Sequence, residues 1–286
     1  MIPVVDSLRR RLLRDPVSIG SRAIVTGAGS GIGRAFALEL ARRGGEVICA
    51  DIDPERAVAT VSLIEGRTGR PAHPFTCDVA DRTAVESLAA FAVETFDGPP
   101  DLVINNAGVG IGGRSVGDIG FDDWSWALGI NLWGVVHGCE LFAPMLREAG
   151  RGGIINVASA AGFAAAPVMA PYNVSKAAVV SLSETLAAEM AHSGVGVTVL
   201  CPTFVKTNVA QDGRITSEAR TLAANLMRWT GISPDGVASA TLDAHDLGRL
   251  YVVPQVDARV IWHLKRHFPA SYVRGLGLLN RLLPSS

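Results

Sequence analysis

The chain has 286 residues, 26 basic against 27 acidic side chains and a formal net charge of −1, with 48% hydrophobic residues. That length suffices for one large α/β domain with a well-buried core, and the balanced charge argues against nucleic acid as a partner. The four cysteines stand far apart without a CxxC pair, the six histidines lack metal-ligand spacing, and no apolar run approaches a signal peptide or membrane span, so the expectation is a reduced, cytoplasmic protein with no metal site.

Residues 1–19 form a basic N-terminal segment in which Arg9, Arg10, Arg11 and Arg14 surround Leu8, Leu12 and Leu13. Residues 22–26 are a short β-prone run, followed by Gly27-Ala28-Gly29-Ser30-Gly31-Ile32-Gly33 and a helical alternation of apolar and charged residues over 34–43. In such a strand, turn and helix the glycines permit a tight turn and let a pyrophosphate approach the backbone, while the helix N-terminus favours the phosphates. A second apolar run, 46–50, ends at Asp51, where a dinucleotide fold places the carboxylate that holds the adenosine ribose. Aspartate there repels a 2′-phosphate, which favours NAD over NADP.

Further strands near residues 73–77, 101–105, 153–158, 196–201 and 250–253 alternate with helical patterns. The alternation predicts a single-domain α/β fold over residues 20–255: a doubly wound, Rossmann-like parallel sheet with helices on both faces and its sites at the strands' carboxyl ends. The run 152–158 closes at Ser159, and thirteen positions later come Tyr172 and Lys176, four residues apart on one helical face. The chain has only three tyrosines and three lysines, so that pair is informative. A free phenol has a pKa near 10, and a neighbouring ammonium favours its phenolate. Hydroxyl, phenol and ammonium together can hold a carbonyl oxygen and move one proton to or from it.

These stretches resemble the motif set of the classical short-chain dehydrogenases/reductases: Thr-Gly-Ala-Gly-Ser-Gly-Ile-Gly over 26–33, Asn105-Asn106-Ala107-Gly108, Asn131, Ser159, and Tyr172-Asn173-Val174-Ser175-Lys176. The resemblance implies Tyr172 as general acid/base, Ser159 orienting the substrate oxygen, Lys176 on the nicotinamide ribose lowering the tyrosine pKa, and Asn131 anchoring a water in a proton relay. It further implies cofactor contacts from Gly27, Gly29, Ser30, Gly31, Ile32, Gly33, Asp51, Asp78 (to adenine), Val79, Asn105, Ala107, Gly108, Pro202, Val205 and Thr207 (to the carboxamide), alongside Tyr172 and Lys176. Pro202-Thr203 stands where the family usually has Pro-Gly, which narrows the space beside the nicotinamide or alters the turn. Asp78 as a helix cap and Asn131 as a helix cap or kink are the plainer alternatives.

Residues 160–171 are nearly all small or apolar, and Phe204, Leu226, Met227 and Trp229 follow Pro202. A pocket lined by these suits a small lipophilic substrate such as a steroid, terpenoid or acyl chain. The patterns around 121–149 and 171–193 are apolar on more than one side, consistent with the homodimer or homotetramer that the resemblance implies. Residues 256–286 carry Arg259, Lys265, Arg266, Arg274 and Arg281 against Asp257 among many apolar residues. This basic helical extension could touch a membrane surface, cover the substrate pocket, or pack on the core. The reading is an oxidoreductase interconverting a secondary alcohol and a ketone with NAD. The alternatives are an NADPH-dependent 3-oxoacyl ketoreductase and a non-catalytic NAD(H) sensor.

Overall fold

Seven parallel strands form the centre of the computed structural model, which describes residues 16–205, 213–217, 219–221 and 231–282. They are β1 (Arg22–Thr26), β2 (Glu46–Asp51), β3 (Ala72–Thr76), β4 (Leu102–Asn105), β6 (Gly152–Val157), β7 (Val195–Leu200) and β9 (Tyr251–Val252). Their order is β3-β2-β1-β4-β6-β7-β9, so the chain winds outward from β1 on one side and from β4 on the other. Each strand predicted from the sequence lies within one residue of its expected bounds. Thr207, Leu226, Met227, Trp229 and the N-terminal arginines lie outside the described residues.

Because both faces are covered, the inner strands read as continuous apolar runs, and alternate side chains go to opposite layers. Ile24, Ile48, Val103 and Ile154 pack with α3 (Arg82–Thr95), α5 (Gly134–Ala149) and α7 (Ala170–Glu189). Val25, Cys49, Leu102 and Ile155 pack with α1 (Gly31–Arg42), α2 (Pro54–Thr68) and α8 (Pro234–Asp246). Cys49, Cys77, Cys139 and Cys201 are all buried free thiols in these layers. His245 of α8 is also internal. Its Nδ1 pairs with Thr198 Oγ1 at 2.9 Å while its Nε2 finds no partner among the described residues, and burial lowers its pKa to about 4.

Two features escaped the sequence. The pattern over 121–149 is not one helix: α4 (Phe121–Leu128) passes through a π-helical turn, Gly129–Trp133, before α5. A separate two-stranded sheet pairs β5 (Ile111–Gly112) with β8 (Arg214–Ile215). The C-terminal extension forms α9 (Val256–His267) and α10 (Pro269–Leu282). It packs on the body beside α6 (Ala161–Ala164), the short helix after Ser159. Trp262 lies 5.3 Å from Phe163 and 4.8 Å from Tyr251 between ring centroids, and the Tyr272 hydroxyl donates to the Ala164 carbonyl at 2.8 Å. Among the described residues no helix is long and apolar enough to cross a membrane.

Candidate active site

Topology brings the motif residues to one edge of the sheet, because β1, β2, β4 and β6 all run the same way and end together. The glycine turn leaves β1 and enters α1 so closely that a Cβ on Gly33 would lie 2.1 Å from the Gly27 carbonyl oxygen. Ser30 caps α1 without a side-chain hydrogen bond, and no acidic residue occupies the first turn. The first amide groups of α1 therefore face outward with the positive end of the helix, a fitting seat for a pyrophosphate.

Asp51 at the end of β2 is buried against this turn. Its Oδ2 accepts from the Gly29 amide at 2.7 Å and its Oδ1 from the Asp53 amide at 3.0 Å. Arg34, the cation nearest the glycine turn in sequence, donates to the Gly29 carbonyl and, at 3.0 Å, to Thr60 Oγ1. Arg56 pairs with Asp53 at 3.1 Å. Asp78 Oδ1 accepts from the Ala80 amide at 2.9 Å and is not a helix cap; Asp81 caps α3 instead. Val79 is buried, and its carbonyl accepts from His137 Nδ1 at 3.0 Å if that nitrogen carries the proton.

The carboxyl end of β4 is tied to the same turn. Thr26 Oγ1 accepts from the amides of Asn106 and Ala107 at 3.0 and 3.1 Å, and Asn106 Nδ2 donates to the Thr26 carbonyl at 2.8 Å. Asn105 points down into a buried polar cluster in which its Nδ2 donates to Asn156 Oδ1 at 2.9 Å and Asn156 Nδ2 to Ser183 Oγ at 3.0 Å. Asn156 and Ser183 were missed in the sequence because they carry no local signal.

Asn131 sits in the π turn, a common location for functional side chains. Its amide is locked twice onto Val109: Oδ1 accepts from the amide at 2.8 Å and Nδ2 donates to the carbonyl at 2.9 Å. A Cβ on Gly108 would lie 3.0 Å from Asn131 Oδ1 and 3.4 Å from Lys176 Nζ, so the three positions converge. Ser159, just past β6, donates to the Pro202 carbonyl at 3.3 Å and accepts from the Ala161 amide at 3.1 Å. Lys176 is buried and donates to the Val157 carbonyl at 2.9 Å, with its Nζ 5.9 Å from the Tyr172 ring centroid.

Burial lowers the Lys176 pKa to about 8. It raises that of the half-buried Tyr172, and a hydrogen-bonding contribution from Ser159 only partly opposes this. Desolvation of the phenol thus opposes the lowering expected from the lysine, whose ammonium is engaged at Val157. The side chain of Thr203 does not simply fill the space of a glycine hydrogen. Its hydroxyl reaches Asp257 of α9 at 3.4 Å and its amide donates to Gln255 Oε1 at 3.1 Å, while Gln255 Nε2 donates to the Phe204 carbonyl at 3.1 Å. Val205 is buried and bridges to Ile232.

Residues 21–218 match the short chain dehydrogenase family. A probable oxidoreductase, EphD, of Mycobacterium tuberculosis strain H37Rv is 44% identical over 186 residues, 65% of this chain, which spans only 31% of that relative's length. The C alpha-dehydrogenase of Sphingobium sp. strain SYK-6 is 30% identical over 263 residues, covering 87% of this chain and 84% of that one. A short chain dehydrogenase/reductase from Burkholderia phymatum, solved in complex with NAD, is 34% identical with a TM-score of 0.79, covering 86% of this chain and 92% of that one.

Proposed function

The chain belongs to the short-chain dehydrogenase/reductase family, and from that premise we propose that it interconverts a secondary alcohol and a ketone with NAD, on a largely lipophilic substrate. The observation that carries this reading is the meeting of Ser159, Tyr172 and Lys176 at the carboxyl end of β6, on the same sheet edge as the glycine turn. A bound nicotinamide supplies the group that accepts or gives the hydride. The protein's residues manage the oxygen. Ser159 donates a hydrogen bond to it, and Tyr172 takes its proton in oxidation or returns one in reduction. Lys176 supplies positive charge, and Asn131, fixed on Val109, anchors a water in the proton relay.

NAD is favoured because the Asp51 carboxylate lies at the glycine turn, where a 2′-phosphate would meet it, and Arg34 is drawn back onto Gly29 and Thr60. The NADPH-dependent ketoreductase reading needs Asp51 to turn away and Arg34 to be released. A non-catalytic sensor has no use for the serine, tyrosine and lysine together. A homo-oligomer is part of the same proposal, and would cover exposed apolar residues such as Trp133 at the π turn and Val174 on α7.

The test is Tyr172→Phe, followed by nicotinamide absorbance against a graded panel of secondary alcohols. Turnover should fall by about 10²- to 10⁴-fold, the usual worth of general acid/base catalysis, with NAD affinity unchanged. Loss of NAD binding together with turnover would refute the assigned role.

A further inference from the structure

A cavity of about 270 Å³ opens where β5, β8, the start of α4 and the loop before Tyr172 come together. This juxtaposition depends on close backbone contact. Gly113 has φ +98°, and a Cβ there would lie 2.2 Å from Thr216 Oγ1, so the residue after β5 meets the residue after β8 at van der Waals range. The Gly113 amide donates to the Val168 carbonyl at 2.8 Å, tying the cavity wall to the segment that leads into Tyr172. Val168 itself is held at φ 56°, a left-handed conformation that a β-branched residue adopts only under constraint.

The wall formed by Ile111, Val168 and Ile215 is apolar, while Arg114, Arg214 and Arg220 also line the cavity. Among the described lining residues a single carboxylate, Asp123, faces these three guanidiniums. It accepts from Arg114 Nη1 at 3.2 Å and from Arg214 Nη1 at 2.8 Å. The Arg214 guanidinium also lies over the Trp126 ring, 4.3 Å from its centroid. Arg220 donates to the Ile215 carbonyl at 3.3 Å, and among the described residues no carboxylate pairs with it. A concave site with an apolar wall and excess positive charge complements an amphiphilic anion, and the flat fork of arginine suits a carboxylate or phosphate.

We propose that this cavity is the distal part of the substrate site and takes an anionic group, a carboxylate or a phosphate, carried on an otherwise apolar alcohol or ketone. The proposal rests on the oxidoreductase reading and sharpens it: the pocket is not uniformly greasy, and charge at the far end of the substrate decides which lipophilic molecules enter. Pro171, the residue before Tyr172, lines the cavity, and the proposal places the substrate's reacting end beyond it, toward Tyr172.

Calorimetric titration of the full chain with octanoate, octyl phosphate and octan-1-ol measures the preference without turnover. The expected result is at least tenfold tighter binding of one anion than of the alcohol, the tighter anion naming the headgroup. Arg214→Gln should reduce that advantage to less than threefold. Arg220→Gln leaves the Asp123–Arg214 pair in place and should weaken the anion at least threefold while octanol binding stays the same. Equal affinity for all three ligands in the unmodified protein, or an anion preference undiminished in Arg220→Gln, overturns the proposal. Tyr172→Phe should keep the preference, so failure of the titration and failure of the catalytic reading are separate results.

Discussion

The turn between β1 and α1 and the segment between β6 and α7 both place backbone in the left-handed region, but they are held there differently. In the first, the residues are glycines, Gly27 at φ 64° and Gly31 at φ 54°, for which the conformation costs little. In the second they are Ala165 at φ 53° and Val168 at φ 56°, for which it does cost energy. The cost is met by contacts from elsewhere: Tyr272 of α10 to the Ala164 carbonyl, Asn173 Nδ2 to the Ala166 carbonyl at 2.7 Å, and the Gly113 amide to Val168. The dinucleotide side is shaped by its own local sequence. The substrate side is shaped by the rest of the molecule, so its geometry can be altered from a distance.

Acid should stress the packing beneath β6 and β7 most. His245 packs under β6 and β7, where a Cβ on Gly153 would lie 2.0 Å from its Nε2, so a charged ring has no solvent there. Its pKa is lowered to about 4 in the fold, against an unfolded value near 6.5. The unfolded chain therefore binds the proton first. The stability conferred by the neutral ring is full above pH 6.5 and is lost as pH falls toward 4, by up to about 3 kcal/mol. Chemical denaturation of wild type and His245→Gln across that range should show the wild type falling more steeply; parallel curves would remove this account.

A Gly33→Ala substitution attacks the dinucleotide side. Backbone meets backbone there and neither can yield, so overpacking of about 1–3 kcal/mol should appear as roughly 10- to 100-fold weaker NAD binding. An unchanged dissociation constant would mean that the turn is not as rigid as its contacts imply.

That turn was fully legible in the sequence, as were Asp51 and the spacing of Ser159, Tyr172 and Lys176, because each depends on neighbours within one strand, turn or helical face. The strands were legible for the same reason. The pairing of Ile111 with Arg214 was not, since neither two-residue strand has a periodicity to read, and the two are brought together only by the fold. Gln255, which links the chain after Pro202 to α9, and the Asn105, Asn156 and Ser183 cluster are equally silent, each being a meeting of polar side chains from separate elements. The arginines of the cavity carry no signal of their own until β5 and β8 gather them.

Smaller effects separate the two sides more finely. Tyr272→Phe removes one hydrogen bond to the Ala164 carbonyl and should cost about 1 kcal/mol. It should raise KM for the substrate while leaving NAD affinity alone, and an equal effect on both would deny the extension its local role. Ala165→Gly relieves a left-handed alanine and should stabilise the protein slightly, by no more than about 1 kcal/mol, as read by Tm. Destabilisation would show that the strain is not where the backbone angles place it.

The four enclosed thiols make the protein its own reporter of breathing motions. Desolvation pushes each of them up to about 12, so at neutral pH they are almost wholly protonated and poor nucleophiles. A thiol reagent can then label a cysteine only when its surroundings open. Cys49 lies in β2 and Cys77 just after β3, while Cys139 lies in α5 and Cys201 just after β7. The first two sample the dinucleotide side and the last two sample the neighbourhood of Asn156 and Lys176. Site-resolved labelling rates would thus convert into local opening free energies for the two sides of one sheet, without introducing a single probe.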